Sequence, residues 1–238
     1  MPTVIVTGAS RGLGLEFVRQ YASAGWEVIA GARRPDEAGE LATLKRRWGG
    51  TVAVELLDVT NEQHIESLAG KYPSSAIDVL INNAGDIGPR GAAREQLHKQ
   101  FFGSLDYAAW HRLLDVNVFA PMRIAEVFAE HVERSEQKKM IFISSSVGSN
   151  VAGTQPVFLY ATSKAALNKC VSLAAPQLLK RGVIVAALCP GHVKTALGGA
   201  GATVEVTASV TGMRKIIGKL TATEAGSFTR YNGDNIPW

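Results

Sequence analysis

The sequence predicts an α/β fold: a doubly wound, Rossmann-type parallel sheet of about seven strands flanked by helices, in a single domain spanning residues 1 to 238. Three observations carry this. Short β-rich apolar runs alternate along the chain with longer segments of helical period. The apolar runs are continuous in Val, Ile and Leu, which marks strands covered on both faces. With 238 residues, 46% of them hydrophobic, the chain is long enough to bury one sizeable core.

The first strand, TVIVTG at 3 to 8, runs through TGASRGLG into a helix at 12 to 24. Glycines at 8, 12 and 14 let the backbone turn sharply and let a phosphate approach main-chain amides at a helix N-terminus. The turn, with Gly8, Ser10, Arg11, Gly12, Leu13 and Gly14, therefore reads as a pyrophosphate seat, spaced GxxxGxG. The second strand, EVIAGA at 27 to 32, closes in GARRP, where NAD-binding folds carry an acidic residue for the ribose 2′-hydroxyl. Ala32 takes that place and Arg33 follows it, so a 2′-phosphate finds a guanidinium instead of a repelling carboxylate. With Arg11 as a second cation, the expected cofactor is NADP(H) in preference to NAD(H).

A helix at 37 to 48 leads to the third strand, TVAVELLD at 51 to 58, whose end puts Asp58 and Val59 on the ligand-binding rim for an adenine. After a helix at 61 to 71, the fourth strand, IDVLINNAG at 77 to 85, ends in a small-residue turn. Asn82 is expected to brace the neighbouring loops, with Ala84 and Gly85 leaving room for ribose and adenine. A long helix is predicted over 109 to 134, then a fifth strand, MIFISSS, at 140 to 146. Pro176 is expected to kink or end the next helix, 158 to 180, because it lacks the amide that would bond back to Ser172. The sixth strand, VIVAALCPG at 183 to 191, a helix at about 205 to 220 and a seventh strand, GSFTRY at 226 to 231, complete the pattern.

Tyr160 and Lys164 stand at i and i+4 near the start of helix 158 to 180, so their side chains share a face. A free phenol titrates near pH 10, too high for ready proton exchange at neutral pH. A neighbouring ammonium favours the phenolate, so the pair is expected to lower the tyrosine pKa toward the range useful for acid-base chemistry.

Composition narrows the remaining options. A net charge of +4 comes from basic pairs scattered along the chain, a solvated surface with no nucleic-acid stripe. No apolar run approaches a membrane span, and MPTVIVTGAS has neither the basic leader nor the cleavage site of a secretory signal, so a soluble, cytoplasmic protein is expected. The two cysteines, Cys170 and Cys189, suit reduced core thiols. Five histidines without HExxH or Cys/His pairing predict no metal site.

Taken together, the chain resembles the short-chain dehydrogenase/reductases along essentially its whole length. TGxxxGxG (Thr7 to Gly14), DV (Asp58, Val59), NNAG (82 to 85), Asn117 in DVNVFAP, SxxG (Ser145 to Gly148), YxxxK (Tyr160, Lys164) and PGxVxT (Pro190, Gly191, Val193, Thr195) occur in family order. The stretches GHVKTALGG and SFTRYNGDNIPW also look like the C-factor and sniffer-like carbonyl reductase subgroup. The resemblance implies hydride transfer between a nicotinamide and a carbonyl or alcohol carbon. Tyr160 would donate the proton in reduction, Lys164 would hold the nicotinamide ribose, Ser145 would bind the substrate oxygen and Asn117 would hold a water that relays protons. Pro190, Gly191, Val193 and Thr195 would border the nicotinamide and phosphate end. SxxG selects Ser145 from three consecutive serines, with Ser146 as the alternative.

The expected activity is NADPH-dependent reduction of a small aldehyde or ketone. The alternatives are NAD-dependent alcohol oxidation and a C-factor-like signalling or regulatory role without turnover. Segments 86 to 105 and 191 to 208 are expected to form the substrate site, with a short, mobile lid after Pro190. The long helices suggest a homodimer or homotetramer.

Overall fold

The structure of the protein is a computed structural model that describes residues 1–89, 95–153 and 155–238. Each predicted strand is present, β2 over its whole run and the others over less than theirs: β1 (Thr3–Thr7), β2 (Glu27–Ala32), β3 (Val52–Leu56), β4 (Val79–Asn82), β5 (Lys139–Ile143), β6 (Ile184–Cys189) and β7 (Phe228–Arg230). They form one parallel sheet in the order β3-β2-β1-β4-β5-β6-β7. Registers such as Val4↔Val28 and Val4↔Val79 seat β1 between β2 and β4. Chain order reverses direction at the β1/β4 junction, and in such sheets ligands lie beyond the carboxyl ends of the strands at that junction. The Gly8 turn and the Asn82–Gly85 turn both leave the sheet there.

Apolar strands with two covered faces need helices on both sides, and the core divides accordingly. On one side α1 (Gly12–Ser23), α2 (Gly39–Arg47) and α8 (Val206–Lys219) bury Phe17, Leu41, Met213 and Ile217 against Val4, Val6 and Ile81. On the other, α3 (Glu62–Lys71), α5 (Ala120–Val127) and α7 (Phe158–Leu179) bury Ile65, Ile124, Leu167 and Val171 against Ile5, Leu80 and Phe142. Side chains at successive strand positions point to opposite faces, so one Val/Ile-rich run supplies both layers.

The helix expected over 109 to 134 is instead three helices. α4 (Tyr107–Leu114) widens into a π-turn (Asp115–Phe119), α5 follows, and α6 (Ala129–Glu133) begins after Phe128 leaves helical geometry at φ −93°, ψ 5°. Pro121 accounts for the π-turn, because it has no N–H to give to the carbonyl four residues back, which belongs to Asn117. Pro176 does not end α7, which continues through it to Leu179, one turn further. Among the described residues no helix is long and apolar enough to cross a membrane.

Candidate active site

The turn after β1 is built for close approach. Gly8 and Gly12 have φ of 65° and 56°, the left-handed region that glycine occupies without strain. A Cβ on Gly14 would lie 2.2 Å from the Gly8 carbonyl oxygen and 2.7 Å from Asn83 Nδ2, and one on Gly12 would lie 3.4 Å from Thr195 Cγ2. The first turn of α1 has no side-chain cap and no acidic residue, leaving its amides and the positive end of the helix dipole for an anion. Ser10 and Leu13 are half-buried in the same turn. This cradle fits a dinucleotide pyrophosphate, with Thr195 on its far side.

At the end of β2, Arg34 pairs with Glu37 at 2.9 Å, whereas the Arg33 guanidinium is exposed beside Asp58. Burial would raise the Asp58 pKa, but the Thr60 N–H and hydroxyl, at 3.0 and 2.8 Å, together with Arg33 and His64, hold it below the usual carboxylate value. Val59 is buried next to it. Arg11, the residue before α1, is exposed.

The bracing expected of Asn82 belongs to its neighbour. Asn83 Nδ2 donates to the Thr7 and Gly8 carbonyls at 2.8 and 3.3 Å, tying the β4 turn to the glycine turn. Thr7 Oγ1 adds to this by accepting from the Asn83 and Ala84 amides at 3.0 Å each. Asn82 is buried, and its side-chain oxygen and nitrogen have no protein partner among the described residues. Asn82 is the last residue of β4, whereas Asn83 is the first residue of the turn that meets the glycine turn. At Gly85 a Cβ would lie 3.3 Å from Asn117 Oδ1 and 3.7 Å from Lys164 Nζ, so this glycine borders the Lys164 end of the crevice.

Beyond β5 the three consecutive serines separate by contact. Ser144 Oγ donates to Asn168 Oδ1 at 2.5 Å, and Asn168 Nδ2 donates to the Gly148 carbonyl at 3.3 Å. The Ser146 amide donates to Cys189 Sγ at 3.3 Å. Ser145 Oγ accepts from the Val147 amide at 3.3 Å and lies beside the Tyr160 hydroxyl, whose pKa it lowers. The motif-selected serine, not Ser146, is thus the one that meets the tyrosine. Asn168 was not among the expected site residues, although it stands one further turn along the Tyr160 and Lys164 face at i+8.

Lys164 Nζ donates to the Ile143 carbonyl at 2.9 Å and lies 5.9 Å from the Tyr160 ring centroid. The expected fall in the phenol's pKa does not occur in this arrangement. Burial pushes Tyr160 up to about 12, against the Ser145 hydrogen bond that lowers it, and the nearby Cys189 raises it further. Burial likewise brings Lys164 down to about 8, with Cys189 acting in the opposite direction. Removal from water is the largest cause of both shifts and sets their direction.

Asn117 is buried, and its side chain is committed: Oδ1 accepts from the Asp86 amide at 2.9 Å, and Nδ2 donates to the Asp86 carbonyl and to Ser163 Oγ at 2.8 and 3.0 Å. After β6, Gly191 has φ 80°, and a Cβ there would meet Tyr231 Cε1 at 2.9 Å. Ser209 Oγ holds the Pro190 carbonyl at 2.7 Å. Val193 is buried and pairs with Val204 in a β-bridge, while Thr195 Oγ1 accepts from the Gly198 amide at 3.0 Å. The segment after Pro190 is thus folded back on itself by a β-bridge and a local hydrogen bond. Of the other expected substrate segment, residues 90 to 94 lie outside the described residues.

The model of the short chain dehydrogenase family matches residues 2–203. The C-signal protein of Myxococcus xanthus is 33% identical over 175 residues, covering 73% of this chain and all of that one. An NADPH-bound carbonyl reductase from chicken fatty liver superposes with a TM-score of 0.84 at 28% identity, over 100% of this chain and 99% of that one. The carbonyl reductase Sniffer of D. melanogaster has a TM-score of 0.87 at 25% identity, with both chains fully covered. The resemblance to the C-factor and sniffer-like group read from the sequence is thus borne out. The chain belongs to the short-chain dehydrogenase family of oxidoreductases.

Proposed function

We propose that the protein is an NADPH-dependent reductase of aldehydes or ketones, with Tyr160 as proton donor. The observation that carries this reading is the placing of the Ser145 hydroxyl close enough to the Tyr160 hydroxyl to lower its pKa, beside Lys164, where the sheet delivers its ligand crevice. Two hydroxyls that meet each other can also meet one carbonyl oxygen. The NADPH-bound state of the chicken carbonyl reductase supports the choice of cofactor. So do the exposed Arg33 and Arg11, which suit a 2′-phosphate.

When bound, the nicotinamide supplies hydride to the carbonyl carbon. As negative charge gathers on the oxygen, Ser145 donates a hydrogen bond to it and Tyr160 delivers its proton. Burial, which raises the Tyr160 pKa, keeps on its hydroxyl the proton that reduction consumes. Lys164, whose buried Nζ faces the same crevice, orients the nicotinamide ribose and returns the proton to Tyr160. Asn117 holds the relaying water at its main-chain carbonyl, since its side chain is occupied and Pro121 cannot donate to that oxygen. Asp58 and Val59 receive the adenine, and the segments 86 to 105 and 191 to 208 frame the substrate.

The test is NADPH oxidation by the purified protein against a panel of aldehydes, ketones and quinones. Turnover of at least one member supports the reading; none across the panel removes it. The identity to C-signal favours a second reading, a signalling role without turnover, under which a cellular phenotype survives Tyr160→Phe unchanged.

A further inference from the structure

Gln100 ends a 3-10 turn (Leu97–Gln100) and is fully buried at 0% exposure. A primary amide in the interior is unfavourable unless both its ends are paired. Its Nε2 donates to the Ile87 and Pro89 carbonyls at 2.8 and 3.2 Å, and its Oε1 accepts from the Tyr160 backbone N–H at 3.3 Å. That N–H is one of the unpaired donors of the first turn of α7, whose preceding residue, Val157, has no side chain able to cap it. Gln100 thus caps the helix from 60 positions away in sequence. On its other side, Ile87–Pro89 directly follows Asp86, which is bonded through its backbone to Asn117, and Gly85, which adjoins Lys164. Gly88, at φ 81°, packs there with its Cβ position 3.4 Å from Leu113 Cδ2 and 3.6 Å from Gln100 Nε2.

We propose that Gln100 is a positioning residue that clamps the segment Ile87–Pro89 to the backbone of Tyr160, so that the loop after β4 and the proton donor move as one body. Its contacts are to backbone atoms and not to the reacting oxygen, so it acts through Tyr160. Its catalytic consequence rests on the carbonyl reductase reading above; the clamp itself does not. The two ends of the amide have separable duties. Leucine fills similar volume and removes both. Glutamate retains the acceptor and, while its carboxyl is protonated, a single O–H donor for one of the Ile87 and Pro89 carbonyls, and it loses that donor when it ionises, a step that burial shifts upward in pH.

The test measures amide hydrogen exchange and steady-state reduction for the full chain and for Gln100→Leu and Gln100→Glu. Gln100→Leu is expected to speed exchange at the Tyr160 amide by about tenfold or more. It is also expected to lower kcat on the order of tenfold, with NADPH affinity held within about twofold. Gln100→Glu is expected to lose kcat as pH rises through a titration absent from the unaltered protein. A folded Gln100→Leu with unaltered Tyr160 exchange, or with kcat within about twofold of normal, overturns the proposal. If Gln100→Leu does not fold, Gln100→Glu decides: a new titration supports the clamp and a flat profile overturns it. If the unaltered protein reduces no carbonyl, the functional reading fails, and exchange at the Tyr160 amide alone decides the clamp.

Discussion

Asn168→Leu probes the support of the serine turn. Asn168 is 3% exposed, and its amide bridges Ser144 Oγ and the Gly148 carbonyl, the two ends of the segment that carries Ser145. Leucine occupies nearly the same space and leaves both partners buried without a hydrogen bond. Each such orphan costs about 1–3 kcal/mol, and leucine recovers roughly 1 kcal/mol through added apolar burial, so a net loss of about 3 kcal/mol is expected. For a chain of this size that corresponds to a fall in Tm of about 6–12 °C. Urea unfolding of the cofactor-free protein reads it as a lower midpoint at unchanged slope. Ser144→Ala/Asn168→Leu then removes both members of one bond and is expected to be less destabilised than the sum of the single changes by about 1 kcal/mol or more. A loss under about 1 kcal/mol for Asn168→Leu, or strict additivity in the double variant, refutes the bridge as the support of this turn.

Lys164 is buried as a cation whose pKa has come down to about 8 from 10.5, so the unfolded chain holds its proton more tightly between those values. The folded state is therefore penalised by roughly 3 kcal/mol below pH 8, and the penalty fades as pH rises toward 10.5. Lys164→Met is expected to raise the urea midpoint at pH 7 while abolishing reduction, and the gain should shrink at pH 9.5; a gain independent of pH contradicts this. Arg33→Asp should weaken NADPH binding by about 10–100-fold, as expected for loss of a charge-assisted bond and gain of a repelling carboxylate, with little effect on NADH. Equal losses for both cofactors, measured by titration, contradict the phosphate assignment. Gly14→Ala forces a Cβ to within 2.2 Å of a backbone oxygen and should both destabilise the fold by about 1–3 kcal/mol and block dinucleotide binding. Normal NADPH affinity in that variant contradicts the cradle.

The strands were legible because a parallel sheet covered on both faces demands unbroken Val/Ile runs, and the rim motifs follow from where those runs stop. The break in 109 to 134 had a visible signal in Pro121, one turn after Asn117, but hydrophobic periodicity alone reads across a π-turn. The choice between Asn82 and Asn83 required knowing where β4 ends and the turn that meets the glycine turn begins. The pKa of Tyr160 was misjudged because spacing reveals the neighbouring cation and not the burial of both groups, and burial decided the direction. Gln100 was not legible at all. Its worth lies in a contact with Tyr160 across 60 positions, and no local pattern separates a buried bridging glutamine from a solvated one.

Reduction by this route needs the Tyr160 hydroxyl as its proton source, and Tyr160→Phe tests this with the ring and its packing retained. Single-turnover reduction of a carbonyl substrate, with NADPH binding measured in parallel, should show a rate lowered by about 10²–10⁴-fold and cofactor affinity within about twofold of normal. A variant that keeps more than about a tenth of the rate shows that the proton comes from elsewhere, and the mechanism fails with it.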